Sequence, residues 1–142
     1  MTDEEKIAAV KAELSKYRAA DREIDCQLLE IKHLRSLATR VSQTFSGMPG
    51  RQGPGDTVGG AVVKLVDMER EVDRRIDELQ EVKRRVVALI EKSPREDYQE
   101  LLTRRYIGGQ RWEEIAAGMR YDNRWVYELH KKALLGVPLR QH

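Results

Sequence analysis

Apolar residues recur along the first third of the chain at alternating steps of three and four positions, the spacing of a helix that packs along one seam. No glycine or proline interrupts this stretch before Gly47, so the pattern predicts one long helix over about 3–43. Polar residues replace the apolar ones at two seam positions, Asp21 and Arg35. The apolar seam positions are Ile7, Val10, Leu14, Tyr17, Ile24, Leu28, Ile31 and Ala38.

A second seam follows a stretch rich in glycine and proline. Glycine is entropically unfavourable in a helix and proline lacks the amide donor, so we expect a loop over about 45–56. Asp56 or Thr57 then caps a second long helix that ends near Pro94. Polar residues again interrupt the seam, at Glu69 and Lys83. Its apolar positions are Val58, Val62, Leu65, Val72, Ile76, Leu79, Val86 and Ile90.

The polar seam positions favour an antiparallel arrangement of the two helices. Reversal at the loop brings Arg35 close to Glu69 and Asp21 close to Lys83, whereas a parallel alignment brings like charges together. We therefore predict a long antiparallel coiled-coil helical hairpin over residues 1–94.

Several further apolar residues lie beside the second seam and outside it. A two-helix hairpin would leave them exposed, so a third helix or a second subunit is expected to cover them. This pattern predicts a homo-oligomer, with a dimer favoured. The residues concerned are Val66, Val82, Val87 and Leu89.

The last third of the chain, residues 95–142, has the pattern of three short helices. The first runs from about Arg95 to Tyr106 or Ile107, and two glycines then end it. The other two are separated by a tight connection, and Asp122 is a suitable N-cap for the last one. This is the pattern of a helix-turn-helix domain, whose second helix, here 123–135, lies in the major groove of DNA. The tail from Gly136 is expected to fray.

Composition and charge indicate which kinds of protein the sequence can encode. Charged residues make up 35% of the 142 residues, which suits long solvated helices. The net charge of +2 lies wholly in residues 95–142, because lysines plus arginines equal carboxylates in 1–45 and in 46–94. Cys26 is the single cysteine, so no intrachain disulfide forms. With no signal peptide and no membrane-spanning run, we expect a cytoplasmic protein that does not enter the membrane.

A set of residues in the C-terminal third forms a recognisable motif: Arg105-Tyr106-Ile107, Gly109, Trp112-Glu113-Glu114-Ile115-Ala116, Tyr121, Val126-Tyr127, Leu129-His130 and Ala133-Leu134. With these residues the C-terminal third resembles region 4 of sigma-70 family factors, and more closely the ArpU-type transcriptional regulators of phages and prophages. The run Ser46 to Pro49 and several positions between Asp56 and Asp67 make the upstream half similar to one group of these regulators. The resemblance implies promoter DNA as a partner and a bacterial host cell as the location. For region 4 it also implies RNA polymerase.

Two positions depart from the family pattern. Family members usually have glycine in the turn where this chain has Arg120, so we expect a costlier backbone conformation or a different turn there. They often have serine as the cap of the first helix of the motif where this chain has Arg111, so that helix is expected to begin without a side-chain cap.

Candidate DNA contacts follow from the direction of the last helix. Its inner face is predicted to be Val126, Leu129, Ala133 and Leu134, which leaves polar residues on the opposite face. Arginine bonds a guanine edge and asparagine an adenine edge, so Asn123, Arg124 and Tyr127 are the predicted base readers, as the resemblance also implies. The predicted phosphate contacts are Arg111, Arg120, Lys131 and Lys132.

No catalytic constellation stands out in the sequence. Glu30 and His33 have the spacing of a di-iron motif, but they lie off the seam and no second copy exists. We therefore expect no enzyme activity, no metal and no cofactor. The sequence predicts a sequence-specific DNA-binding transcriptional regulator of phage or prophage type. The alternatives are a phage small terminase subunit, which recognises packaging DNA, and a protein-interaction module that binds RNA polymerase without DNA contact.

Overall fold

The computed structural model describes residues 2–46 and 55–139, and every regular element in these two ranges is helical. This confirms the predicted all-α class. The elements are α1 (Asp3–Leu14), α2 (Lys16–Ser46), α3 (Gly55–Glu91), α4 (Glu96–Leu102), a π-helical turn (Thr103–Ile107), α5 (Trp112–Met119) and α6 (Asn123–Gly136).

The first predicted helix is present, but it is bent. It is divided at Ser15 into α1 and α2. Backbone hydrogen bonds continue across the bend: the Ser15 amide donates to the Lys11 carbonyl at 3.0 Å, and the Ala19 amide donates to the Ser15 carbonyl at 3.1 Å. Thr2 caps the start of α1, where its hydroxyl accepts from the Glu5 amide at 3.2 Å.

The chain forms two compact units, and α2 and α3 contribute to both. The hairpin unit is Asp21–Glu78, and within it α2 packs antiparallel against α3. Two ion pairs show the direction: Arg35 of α2 bonds Glu69 of α3, and Glu23 lies 3.8 Å from Arg75. The earlier residue of α2, Glu23, meets the later residue of α3, Arg75, so the two helices run in opposite directions. The predicted antiparallel direction and the predicted pairing of Arg35 with Glu69 are therefore confirmed.

Burial along the seam of the hairpin unit follows the seven-residue repeat. Ile24 and Ile31, seven positions apart, are 5% and 4% exposed, and Val72 on α3 is equally buried. Three predicted seam residues, Leu28, Val62 and Ile76, are instead exposed. Two helices alone cannot enclose every side chain along their seam, so some seam positions stay exposed.

The ends of the hairpin helices reach farther than predicted. α2 continues to Ser46 and α3 begins at Gly55, so the cap predicted at Asp56 or Thr57 lies inside the helix. The central part of the predicted loop, residues 47–54, lies outside the described residues.

The second compact unit comprises Met1–Ala20 and Leu79–His142, and its helices share one hydrophobic core. We call it the C-terminal unit. α6 packs against both α1 and α4, so the first helix of the chain completes the core of the last three. Val10 and Leu14 of α1 are 0% exposed in this core. The division of functions at residue 94 stays a prediction.

The exposure of residues at the edges of this core answers two predictions, one about the apolar residues beside the second seam and one about the C-terminal tail. Val82 and Leu89 pack at its edge, so helices of the same chain cover them, whereas Val66 in the hairpin unit remains 40% exposed. Val137 is 0% exposed, so the expectation of fraying from Gly136 is wrong at this position. Lys6 of α1 also ties down the end of α6, since its ammonium donates to the carbonyl of Leu135.

The shared core predicts that α1 stabilises the C-terminal unit. Leu14→Ala should lower the free energy of unfolding by about 3 kcal/mol, because it leaves a cavity between α1 and the helices around it. Arg84→Ala is the control, because the Arg84 side chain is 73% exposed on α3 and lies outside this core, and it should change stability by less than about 0.5 kcal/mol. Urea unfolding of both variants measures the difference. Equal losses would contradict the placement of Leu14.

Candidate nucleic-acid interface

α6 begins as predicted, with Asp122 as its N-cap. The Asp122 carboxylate accepts a hydrogen bond from the Trp125 amide at 2.7 Å, and this satisfies one of the free donors of the first turn. The predicted inner face of the helix is buried: Val126, Leu129, Ala133 and Leu134 are each at most 1% exposed. The rotation of α6 about its own axis is therefore fixed by the core.

The connection between α5 and α6 contains a left-handed residue. Arg120 has φ 60° and ψ 42°, a conformation that favours glycine and costs other residues about 1–2 kcal/mol. The Tyr121 amide donates to the carbonyl of Ala116 at 3.0 Å and the Arg120 amide to that of Ala117 at 3.3 Å, the pairing of a Schellman motif. Of the two expectations for this position, the costlier backbone conformation is the one observed.

Relief of this strain is testable. Arg120→Gly should raise the free energy of unfolding by about 0.5–1 kcal/mol, because glycine adopts positive φ without a steric penalty. Arg84→Gly, at an exposed position inside α3, should lower it by about 1 kcal/mol, because glycine is unfavourable in a helix interior. Thermal unfolding of the two variants measures both effects. A loss of stability in Arg120→Gly would contradict the strained turn.

The three predicted base readers are together on the exposed side of α6. Asn123, Arg124 and Tyr127 are all exposed, in the first two turns of the helix. Arg124, Tyr127 and Lys131 are spaced by three and four residues, so they form one stripe. Tyr127 is 49% exposed, and its ring lies beside Trp112 of α5 with the centroids 5.3 Å apart. Their role in reading bases stays a prediction.

The four predicted phosphate contacts are all exposed, and they lie at the two ends of α5 and on α6. Arg111 lies at the start of α5 without a side-chain cap, as expected, and instead bonds the Glu114 carboxylate at 2.9 Å. This bond raises the pKa of the Arg111 guanidinium. Lys132 lies on a different side of α6 from Lys131, with its ammonium 4.9 Å from the Trp125 ring centre. Arg120 lies in the turn itself.

A buried histidine lies directly behind this surface. His130 is 8% exposed, and its Nε2 shares a hydrogen bond of 2.7 Å with the Tyr106 hydroxyl. The Trp112 ring meets the imidazole edge-on, with the centroids 4.7 Å apart. Burial raises the pKa of Tyr106 to about 12, so both partners are neutral near pH 7. The sequence analysis did not predict that His130 is buried, because a histidine on an amphipathic helix fits either face.

The buried imidazole makes the stability of the C-terminal unit depend on pH. Burial, with smaller contributions from Lys11 and Arg105, lowers the pKa of His130 from 6.5 to about 4. A folded-state pKa below the unfolded value means that the unfolded chain binds more protons in this window. Stability should therefore be full above pH 6.5 and fall towards pH 4, by at most about 3 kcal/mol.

Urea unfolding across this pH range tests the prediction. His130→Gln is the control, because glutamine cannot titrate, and it should lose this part of the pH dependence. The same pH dependence in both proteins would contradict the buried neutral histidine.

Three arginines that sequence reasoning did not select lie against the loop before α5. The π-helical turn closes with the Gly108 amide donating to the Thr103 carbonyl at 2.9 Å, one residue wider than an α-helical turn. Tyr106 enters the core, while Arg105 lies over the Trp112 ring at 4.3 Å and Arg104 bonds the Gln110 side chain at 3.3 Å. Arg18 is the third, beside Gly109. No periodic pattern distinguishes a π-helical turn from a regular one, so this arrangement could not be predicted from the sequence.

Across residues 2–46 and 55–139, no three histidine, cysteine, aspartate or glutamate side chains come together as metal ligands. Nor is any helix of these ranges both long and apolar enough to cross a membrane. No protein-family model, curated protein or solved structure matches the chain. The resemblance to sigma region 4 and to phage regulators thus stays a prediction.

Proposed function

We propose that the chain is a sequence-specific DNA-binding transcriptional regulator of phage or prophage type, and not an enzyme. In this proposal α5, the turn and α6 act as a helix-turn-helix, and α6 reads a promoter element in the major groove. The phage assignment and the location in a bacterial host cell rest on the family resemblance alone. The DNA-reading role rests also on the geometry of α6.

The observation that carries the proposal is the division of α6 into two faces. Its inner face is fully packed, and its outer face presents Asn123, Arg124 and Tyr127 at the exposed N-terminal end. Base-reading helices contact base edges with residues of their N-terminal turns, so these positions are suitable. Arginine and asparagine can each make two hydrogen bonds to one purine, which distinguishes base pairs.

The charges on the exposed side of α6 also suit the proposed reading of bases. The net positive charge lies in residues 95–142, and Arg124 and Lys131 share the outer stripe of α6 with Tyr127. The acidic Glu128 is also on the exposed side. It lies one turn after Arg124, where a carboxylate can accept from a cytosine amino group. A mixed stripe of this kind suits base reading better than uniform attraction to phosphates.

We further propose that the hairpin unit joins two copies of the chain, with RNA polymerase as a candidate further partner. Leu29 and Val63 are 67% and 60% exposed, and Leu37, Val62 and Val66 add to the exposed apolar surface of this unit. A dimer would present two recognition helices to neighbouring half-sites, which multiplies the weak affinity of a single one.

Selection from random duplexes tests the reading of DNA. The wild-type chain should enrich one motif, and Arg124→Ala should reduce preference for that motif about tenfold or more, since a bidentate arginine–guanine contact is worth about 1–3 kcal/mol. Arg84→Ala, which removes an exposed arginine of α3, is the matched control and should keep the preference. Enrichment of no motif, or an unchanged preference in Arg124→Ala, would contradict the proposal.

The exposed apolar surface of the hairpin also favours a second candidate, a phage small terminase subunit that recognises packaging DNA as a ring. Native mass spectrometry separates the two, since a ring of many subunits supports the terminase and a monomer or dimer supports the regulator. A third candidate is a module that binds RNA polymerase without touching DNA. It would show neither motif enrichment nor duplex binding at low salt.

A further inference from the structure

A groove runs along the surface of the C-terminal unit, between α1 and the C-terminal end of α3. It consists of two adjoining cavities of about 640 Å³ and about 60 Å³, which share Glu13, Arg85 and Leu89 as lining residues. We call it the α1–α3 groove, and it lies between residues 9–16 and residues 82–92. Both of these segments belong to one compact unit.

Small and apolar side chains form the floor of the groove. Ala9 and Ala12 of α1 line the larger cavity together with Ala88 of α3, and alanine leaves room for a second helix to approach closely. Leu89 and Leu139 line the same cavity and are only partly buried against the hydrophobic core, so each keeps some apolar surface at the groove. The floor therefore offers apolar surface that another molecule can remove from water.

Buried residues directly behind the floor hold the groove in shape. Val10 and Leu14 of α1 and Val86 and Ile90 of α3 are at most 3% exposed, and they belong to the same hydrophobic core. The two walls are thus joined through packed side chains. A groove that is already formed binds a ligand with less loss of conformational entropy than one that must first be ordered.

Two positive charges in the groove have no partner. Arg85 lines both cavities and Lys92 lines the larger one, and neither side chain makes a hydrogen bond or an ion pair with the residues that the structure describes. The one carboxylate among the described lining residues belongs to Glu13. It is already bound by Lys16, whose ammonium lies 2.8 Å from each of the two carboxylate oxygens. The groove therefore combines an apolar floor with an excess of positive charge.

We propose that the α1–α3 groove binds an acidic amphipathic helix of a partner protein. The apolar side chains of this helix lie on the floor of alanines and leucines, as in other complexes of a helix with a groove. Its carboxylates pair with Arg85 and Lys92. These two residues are seven positions apart, which is roughly 10 Å at about 1.5 Å per residue. The partner helix therefore carries two carboxylates about two turns apart beside its apolar stripe.

The combination of apolar floor and positive charge favours this occupant over nucleic acid or a second copy of the chain. A nucleic-acid backbone would use the charges but would leave the apolar floor exposed to water. The exposed aliphatic side chains that are proposed to join two copies lie in the hairpin unit instead, at Leu29 and Val63 among others. The inference does not rest on the reading of DNA, and it gives the unit that contains α6 a second binding surface.

Selection of peptides on the full chain tests the proposal. A displayed library of random helical peptides should yield amphipathic sequences with two carboxylates about two turns apart. Arg85→Gln and Lys92→Gln should each weaken the binding of such a peptide about threefold to tenfold, because each variant removes one charge pair at the interface. Ala88→Gln fills the floor without changing the charge, and it should weaken binding about tenfold or more.

Arg84→Gln is the matched control for the two charge variants. The Arg84 side chain is 73% exposed one position before Arg85, and it pairs with Glu81 instead of lining the groove. This variant should change the affinity for the peptide by less than about twofold. Arg85, Ala88 and Lys92 are all exposed, so the substitutions should leave the fold intact, which thermal unfolding of each variant checks.

Three results would overturn the proposal. The first is a selection that yields no acidic amphipathic sequence, or peptides that bind Arg85→Gln and Ala88→Gln as tightly as the wild type. The second is a weaker salt dependence of duplex binding in Arg85→Gln and Lys92→Gln with unchanged affinity for the peptide, which would assign the charges to nucleic-acid phosphates. The third is a dimer that Ala88→Gln separates into monomers in native mass spectrometry, which would make the groove an interface between copies.

Discussion

The packing of α6 between α1 and α4 is the interaction on which the rest of the C-terminal unit depends. Four residues of its inner face, from Val126 to Leu134, are almost completely buried, and Val10 and Leu14 of α1 close the same core. A helix held in this way cannot rotate about its axis without exposing apolar surface to water. Such exposure costs about 25 cal/mol of free energy for each Å². The outer residues Asn123, Arg124 and Tyr127 therefore keep a fixed direction, as the proposed recognition of a rigid duplex would require.

Two local departures from regular helix geometry shape the surface around α6. The left-handed Arg120 closes α5 and lets α6 start at Asn123 after a short turn. The π-helical turn ends α4 and places Arg104 and Arg105 beside the loop before α5, while Tyr106 reaches His130. Strained or irregular backbone of this kind persists only where surrounding packing stabilises it, and it is common at functional sites.

Much of this architecture could be predicted from local sequence signals. The cap at Asp122, the inner face of α6 and the pairing of Arg35 with Glu69 each follow from spacing and charge, and the structure has all three. The bend at Ser15 and the π-helical turn could not be predicted. The spacing of apolar residues is nearly the same in a regular helix and in a helix with one local irregularity. The burial of His130 and the position of Arg18 on Gly109 depend on contacts between distant segments, which a single sequence does not specify.

The central claim is that α1 and α6 belong to one cooperative core, which fixes the exposed face of α6. Native-state amide hydrogen exchange tests it most directly. The claim predicts that the amides of Val10 and Leu14 in α1 exchange with the same opening free energy as those of Leu129 and Leu134 in α6. Rapid exchange in α1 while α6 remains protected would contradict it, because α6 would then be held without the first helix.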